Sequence, residues 1–348
     1  TGMPYSLPPL SVGAQYRKRV EEYPDSRVKA VLDVSSAPEA SKQTSPNKLE
    51  DLALKPVISG IPLPVLWEDS DILAELRKPL AWRKSWGCGP HSRSNWLPVG
   101  SREEPQLCVG GWPFQLPSGY GMSDGETEEA GREKVRRLLE KGVTSFVNLT
   151  ESNEFMISDK DYNYETWIPR VLEIAHSVYG GSEAQSDLRK TLRFDISCEM
   201  PDGLVTSDLK LATLLSKLLK ELVNPERVLY IHCYGGHGRS GIVACSLLCL
   251  LYPGLQHLPA DLTQPWAAES ISRHASKEFI ARLQTTYSLE TLKLAEGAVT
   301  VFNRCHAERV DEHGGGLCRF PHSMAQFVQV LRVAAAAGPF ADLRCMLG

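Results

Sequence analysis

The stretch Val228-Leu-Tyr-Ile-His232-Cys233-Tyr234-Gly235-Gly236-His237-Gly238-Arg239-Ser240-Gly241, with the apolar run Ile242 to Tyr252 behind it, decides how this chain is read. The apolar opening predicts a strand, the glycines a loop, and the residues from Arg239 onward a helix. Glycines at 235, 236 and 238 let successive backbone N–H groups point at one centre, and the helix N-terminus adds the positive end of its dipole. That combination is a cradle for a phosphate. A nucleotide-binding loop would carry Gly-Lys-Ser/Thr, and no Lys stands here. Cys233 opens the loop instead, and Arg239 closes it six residues on. Nest and dipole favour the thiolate, and the guanidinium can grip two phosphoryl oxygens at once, so the pair reads as a nucleophile and its electrophile clamp. The Cys-to-Arg spacing alone is weak; the flanking glycines make it specific. The bland alternative is a buried structural cysteine in a strand-to-helix turn.

Working outward, Gln106 to Gly111, Thr144 to Leu149, Leu192 to Ile196 and Val228 to Ile231 have strand character, while Glu126 to Lys141 and Ser207 to Leu222 have helical apolar spacing. Ser207 is a cap and Asn224-Pro225 a stop. Strands alternating with helices predict an α/β fold: a central, mostly parallel sheet flanked by helices. Helical insertions are expected at about 159–190 and 255–317, and a closing helix over Gln326 to Ala336.

Upstream, residues 1–95 are rich in proline and poor in periodic apolar pattern, with short helices expected only at Val12 to Glu22 and Asp69 to Lys78. Trp67, Trp82, Trp86 and Trp96 nonetheless carry large apolar area. The expected division is therefore a partly irregular N-terminal extension, 1–95, docked on a catalytic domain, 96–348.

The bulk numbers exclude several functions. With 38 Lys+Arg against 42 Asp+Glu and a net charge of −4, no basic stripe suits nucleic acid. The run Ile242 to Tyr252 is about half of the ~20 residues that span a bilayer, and no signal-peptide pattern opens the chain. Nine scattered cysteines without CxxC pairs fit a reducing compartment. A cytoplasmic or nuclear location is the expectation.

From about Asn95 to Leu251 the chain resembles the cysteine-dependent protein tyrosine phosphatase superfamily, whose signature is His-Cys-x5-Arg-Ser/Thr. Within it, the Cys-Tyr-Gly-Gly loop is most similar to dual-specificity phosphatases of the kinase-associated kind that act on cyclin-dependent kinases. Ser94-Asn95-Trp96-Leu97-Pro98 and Gly142-Val-Thr-Ser-Phe-Val-Asn-Leu149 are further anchors; the likeness is faint from Leu255 to Leu317 and absent from the arm. The resemblance implies the dual-specificity phosphatase fold and a two-step reaction: Cys233 attacks phosphorus, and water hydrolyses the cysteinyl-phosphate. It assigns phosphate binding to Tyr234, Gly235, Gly236, His237, Gly238 and Arg239. Ser240 would hydrogen-bond the departing sulfur, and His232 would fix the loop backbone.

Such chemistry needs a general acid, which the family carries on a loop some thirty residues before the cysteine. Asp202, in Glu199-Met200-Pro201-Asp202-Gly203, stands 31 residues ahead of Cys233; Asp195 and Asp208 are the alternatives. Trp112-Pro113-Phe114 resembles a general-acid loop of larger tyrosine phosphatases but lies too early, and reads as core. Cys245 and Cys249 also read as core. Cys305, His306, His313, Cys318 and His322 invite a zinc reading that matches no finger spacing, so neither metal nor other cofactor is expected. His306-Ala-Glu-Arg309 and Pro321-His-Ser-Met-Ala-Gln326 are similar instead to a family segment in which a Gln, here Gln326, orders the hydrolytic water. The expected partner is a phosphoprotein substrate, with inositol phosphates or phosphoinositides as the alternative and a non-hydrolysing phosphoprotein-binding module as a third reading.

Overall fold

The computed structural model describes residues 87–97, 99, 104–115, 127–151, 154, 164–180, 191–252, 254–255, 276–307, 309 and 320–345, together with 72 and 76. All of them fall in the unit Thr44–Gly348. Val12 to Glu22, Trp67, Trp82, Trp86, His313 and Cys318 lie outside the described residues. Of the arm, Leu76 is buried in the main core and Ile72 packs against it.

Five strands form one sheet: β1 (Ser94–Leu97), β2 (Leu107–Gly110), β3 (Ser145–Asn148), β4 (Arg193–Ser197) and β5 (Leu229–His232), in the order β1-β2-β5-β3-β4. β2, β5, β3 and β4 run parallel, and β1 is antiparallel to β2. The described helices are α1 (Glu128–Glu140), α2 (Tyr164–Tyr179), α3 (Asp208–Val223), α4 (Gly238–Leu251), α5 (Lys277–Thr286), α6 (Leu289–Ala307) and α7 (Met324–Cys345). This is the α/β sheet with flanking helices that the alternation predicts. Two differences stand out. β1 is absent from the sequence reading, because a four-residue strand held on one edge only has no periodic pattern to show, and it spans the 95/96 boundary. Within 255–317 the described residues include two helices, α5 and α6.

Helix ends follow local chemistry. The Ser207 hydroxyl accepts the Lys210 N–H at 3.2 Å and caps α3; Thr127 does the same for Ala130 at 3.1 Å ahead of α1. In α3 the buried Leu211, Leu214, Leu215, Leu218 and Leu222 recur at helical spacing on one face. α4 is buried all round, so an apolar helix carries the catalytic-looking loop into the core.

Alternation along the strands separates two cores. Leu107, Val109, Val147, Leu229 and Ile231 join an aliphatic cluster with α3, α4, α6 and α7, whereas Cys108, Phe146 and Tyr230 join a second cluster with Trp112, Phe114 and Trp167 against α1 and α2. No helix among the described residues is long and apolar enough to cross a membrane.

Candidate active site

The parallel strands all end at the same edge of the sheet, the edge where α/β proteins place their ligands. β5 runs out into Cys233, β2 into Gly110-Gly111, β3 into the turn that carries Glu154, and β4 into the segment that carries Asp202.

The loop after β5 is shaped as the glycines predict. Gly236 has φ 74°, a left-handed conformation open to glycine, and a Cβ there would stand 2.2 Å from the Gly110 carbonyl carbon. Its N–H donates to Cys233 Sγ at 3.2 Å, so this amide of the loop faces the sulfur. Gly110 must be bare for another reason: a Cβ would meet the Tyr230 hydroxyl at 2.1 Å. That hydroxyl donates to the Gly111 carbonyl at 2.6 Å and lies 3.0 Å from His91 Nε2.

Arg239, in the first turn of α4, is 1% exposed. Its Nη1 and Nη2 meet the two Glu154 carboxylate oxygens, the latter at 2.6 Å; Nη1 also donates to the Met200 carbonyl at 3.2 Å. Asp202 Oδ1 lies 3.3 Å from Nη2, with the Asp202 side chain 53% exposed. Nε is buried without a hydrogen-bond partner. Burial opposes the charged guanidinium, but the Glu154 hydrogen bonds, with Cys233 and Asp202 nearby, outweigh it and raise its pKa. One carboxylate thus satisfies one edge of the fork, leaving a buried N–H on the other. Sequence reasoning missed Glu154, although an acidic residue six positions beyond the end of β3, at the ligand edge of the sheet, was the signal that could have found it.

The structure brings Asp202 to Arg239 and takes the alternatives elsewhere. Asp195 on β4 pairs with Arg193 at 2.6 Å, and Asp208 receives Arg332 Nη1 at 3.1 Å at the start of α3. Asp202 sits on a turn in which the Leu204 N–H bonds the Pro201 carbonyl at 3.1 Å and Gly203 takes φ 72°.

Ser240, fully buried, has no hydrogen-bond partner for its Oγ. His232 is buried among Trp112, Phe114 and Tyr230, its ring 5.5 Å from that of Trp112; burial first, and Arg239 second, bring its pKa down to about 3, so the imidazole is neutral. Trp112 and Phe114 are core residues, as are Cys245, Cys249 and Cys305. The backbone carbonyl of Tyr234 accepts the Trp112 N–H at 2.8 Å, and the Arg93 guanidinium lies 5.7 Å from the centre of the Tyr234 ring.

His306 and His322 do not gather with Cys305. They surround His237 in the loop, His306 in direct ring-nitrogen contact and His322 at 5.8 Å between ring centres. Burial, then His306 and Arg309, hold His237 well below the ordinary histidine value, hence neutral. Among the described residues no group of three or more His, Cys, Asp or Glu side chains is placed to hold a metal ion. Gln326 lies against the loop, its Nε2 2.8 Å from where a Cβ on Gly238 would stand, with Oε1 accepting the His322 N–H at 2.9 Å and Nε2 reaching the Leu204 carbonyl at 3.4 Å.

No family model matches the chain. Over 153 residues it is 27% identical to the protein named "Putative tyrosine phosphatase 197R" of Invertebrate iridescent virus 6, a match covering 44% of this chain and 42% of that relative, so the chain spans less than half the length of the curated relative it matches. That similarity bears out the resemblance to cysteine-based tyrosine phosphatases. Among solved structures, kinase associated phosphatase with its catalytic-site cysteine substituted by serine is similar at 17% identity over 58% of this chain and 85% of that one, with a TM-score of 0.28, an overlap too slight to carry any inference.

Proposed function

We propose that the protein is a phosphatase that hydrolyses phosphomonoesters of tyrosine, serine or threonine in proteins, through a cysteinyl-phosphate on Cys233 and without a metal. The observation that carries this reading is the half-satisfied guanidinium of Arg239: Glu154 holds one edge, while a buried, unpartnered Nε remains on a side chain that feels the Cys233 sulfur, and a phosphoryl oxygen would complete it. In this reading the sulfur attacks phosphorus in line, the P–O bond to the leaving group breaks, and Asp202 gives that oxygen its proton. Water then attacks the cysteinyl-phosphate and Asp202 takes its proton; the S–P bond breaks, and the Ser240 hydroxyl donates to the sulfur as it leaves with the electron pair. Gln326, against Gly238, orders the water. His232 supports the loop as a neutral ring.

The inositol-phosphate alternative needs extra cations for extra phosphates. His237, the one further candidate cation between Cys233 and Arg239, is buried against His306 and held neutral, which favours the phosphoprotein reading. A binding module without turnover needs no general acid beside the clamp, and Asp202 stands there. The test is a panel of phosphotyrosine peptide, phosphothreonine peptide and inositol phosphates assayed in EDTA with the full chain and Cys233→Ser. Phosphate release from the peptides should survive chelation and fall by ~10²-fold or more in the variant. A variant retaining more than about a hundredth of kcat would remove Cys233 as nucleophile, and inhibition by EDTA that zinc reverses would remove the metal-free mechanism.

A further inference from the structure

The loop that cradles phosphate has an outer side as well as an inner one. While the Gly236 N–H turns toward Cys233, the carbonyls of Tyr234, Gly235 and Gly236 meet other donors, in buried or half-buried surroundings where an unpaired carbonyl is costly. The Tyr234 carbonyl has the Trp112 N–H at 2.8 Å, and Arg93 Nη2 at 3.5 Å. The other two are taken by one side chain. Arg309, two residues past α6 and buried, donates from Nη1 to the Gly235 carbonyl at 3.1 Å and from Nη2 to the Gly236 carbonyl at 3.0 Å. The same group holds the neighbouring strands, with Nη2 on the Val109 carbonyl at 3.2 Å and Nε on Asn95 Oδ1 at 2.8 Å.

Among the described residues no carboxylate meets this guanidinium. The ionisable groups around it are Arg93 and His91 ahead of β1, Cys108 on β2, Tyr230 on β5, and Cys233 and His237 in the loop. Burial brings its pKa down to about 10, which still leaves it charged at neutral pH. A positive charge is therefore held behind the cradle, uncompensated, by acceptors that are all neutral.

We propose that Arg309 is a positioning residue of the phosphate site: it gathers the outward carbonyls of Gly235 and Gly236, so that their peptide planes keep the N–H groups facing Cys233, and its charge adds to the field that draws an anion into the loop. This inference rests on reading the loop as a phosphate cradle. Gly236, in a left-handed conformation with no side chain, is the place where those planes would turn over if the carbonyls were released.

The test uses the full chain with Arg309→Met, Arg309→Lys and Asn95→Asp. Three quantities are read: the inhibition constant of inorganic phosphate, kcat and KM for p-nitrophenyl phosphate, and the rate at which iodoacetate, itself an anion, alkylates Cys233 at pH 6. Arg309→Met should raise the phosphate inhibition constant and KM by about tenfold or more and slow alkylation similarly, because the charge and both carbonyl contacts are gone. Arg309→Lys keeps the charge and should recover part of each. Asn95→Asp keeps the acceptor for Nε but places a carboxylate against the guanidinium, so it should weaken phosphate binding and slow alkylation with kcat less affected. A folded Arg309→Met with wild-type phosphate binding and alkylation, whatever its melting temperature, overturns the inference. If that variant does not fold, unchanged values in both other variants overturn it equally. Wild-type protein that neither hydrolyses nor binds phosphate would sink the functional reading instead, and the alkylation rates would still report on Arg309.

Discussion

Two loops leave the sheet at the same edge, and they are held in different ways. The loop 233–238 is fixed from both sides: a buried guanidinium and the Trp112 amide just past β2 take its carbonyls, and Gly236 packs on the Gly110 backbone too closely to admit a methyl group. The segment 198–207 is held along its backbone, at both shoulders and by Arg239 on the Met200 carbonyl at 3.2 Å and Gln326 on the Leu204 carbonyl at 3.4 Å, but its acidic tip is open to solvent. Cys198 and Met200 donate to the Asn148 and Leu149 carbonyls, and side chains at the start of the last helix and in it take the other end, Ser323, just ahead of α7, on the Gly203 carbonyl at 3.2 Å and Gln329 on that of Thr206 at 2.5 Å. Asp202, between the shoulders, is half exposed. A phosphate cradle works by preorganised donors that do not reorganise during reaction, whereas a group that first gives and then takes a proton must reach two different oxygens. The contrast in restraint matches the contrast between the tasks proposed for the two loops.

The largest effect expected on the more open loop comes from its tip. Asp202→Asn should lower kcat by ~10² to 10⁴ on a phosphoserine peptide and far less on an aryl phosphate whose leaving group needs no proton. Equal losses on both substrates would mean that Asp202 serves only to bind, and the comparison between an enclosed cradle and an exposed acid would collapse. Next in size is Gly236→Ala. A Cβ 2.2 Å from a backbone carbon cannot be accommodated by a side-chain rotation, so the loop or β2 must shift, and phosphate affinity should fall by about tenfold with a clear drop in melting temperature. Full activity in this variant would show that the cradle yields as readily as the acid loop. The smallest effect belongs to Gly203→Ala, at the matching left-handed position of the other loop. Here φ 72° predicts a cost of about 1–2 kcal/mol, a few degrees in melting temperature, with phosphate affinity unchanged and kcat reduced only on poor leaving groups. A phosphate inhibition constant that moves in Gly203→Ala as much as in Gly236→Ala would say that the two loops are coupled.

The pairing of Arg239 with Glu154 gives a further, buried point of comparison. Removing one partner of a buried pair leaves an uncompensated charge, typically 3–5 kcal/mol. Asp202, exposed and also near that guanidinium, contributes far less to stability.

Much of the site was legible in the sequence because its parts are local. A strand, a cysteine, three glycines and an arginine at the head of an apolar helix are contiguous, and each acts through backbone conformation or a dipole set within a few residues. β5, α4 and the capped α3 were legible for the same reason, and Asp202 because it lies just beyond a readable strand. Glu154, 85 residues before Arg239, and Arg309, 73 residues beyond Gly236, were not read as parts of the site, because their own neighbourhoods carry at most a hint of position and none of partner; what makes them matter is a partner brought near by the sheet order β2-β5-β3 and by the packing of α6 on α4. The gathering of His306 and His322 around His237 follows the same rule, and so does β1, too short to show alternation and defined by its single neighbour. The sequence by itself determined the candidate nucleophile, its candidate clamp and the α/β layering, since these depend on residue type and short-range spacing. Only the tertiary structure decided which edge of Arg239 is left open, which acid stands beside it and which cation lies behind the cradle, since those depend on where distant buried charges meet.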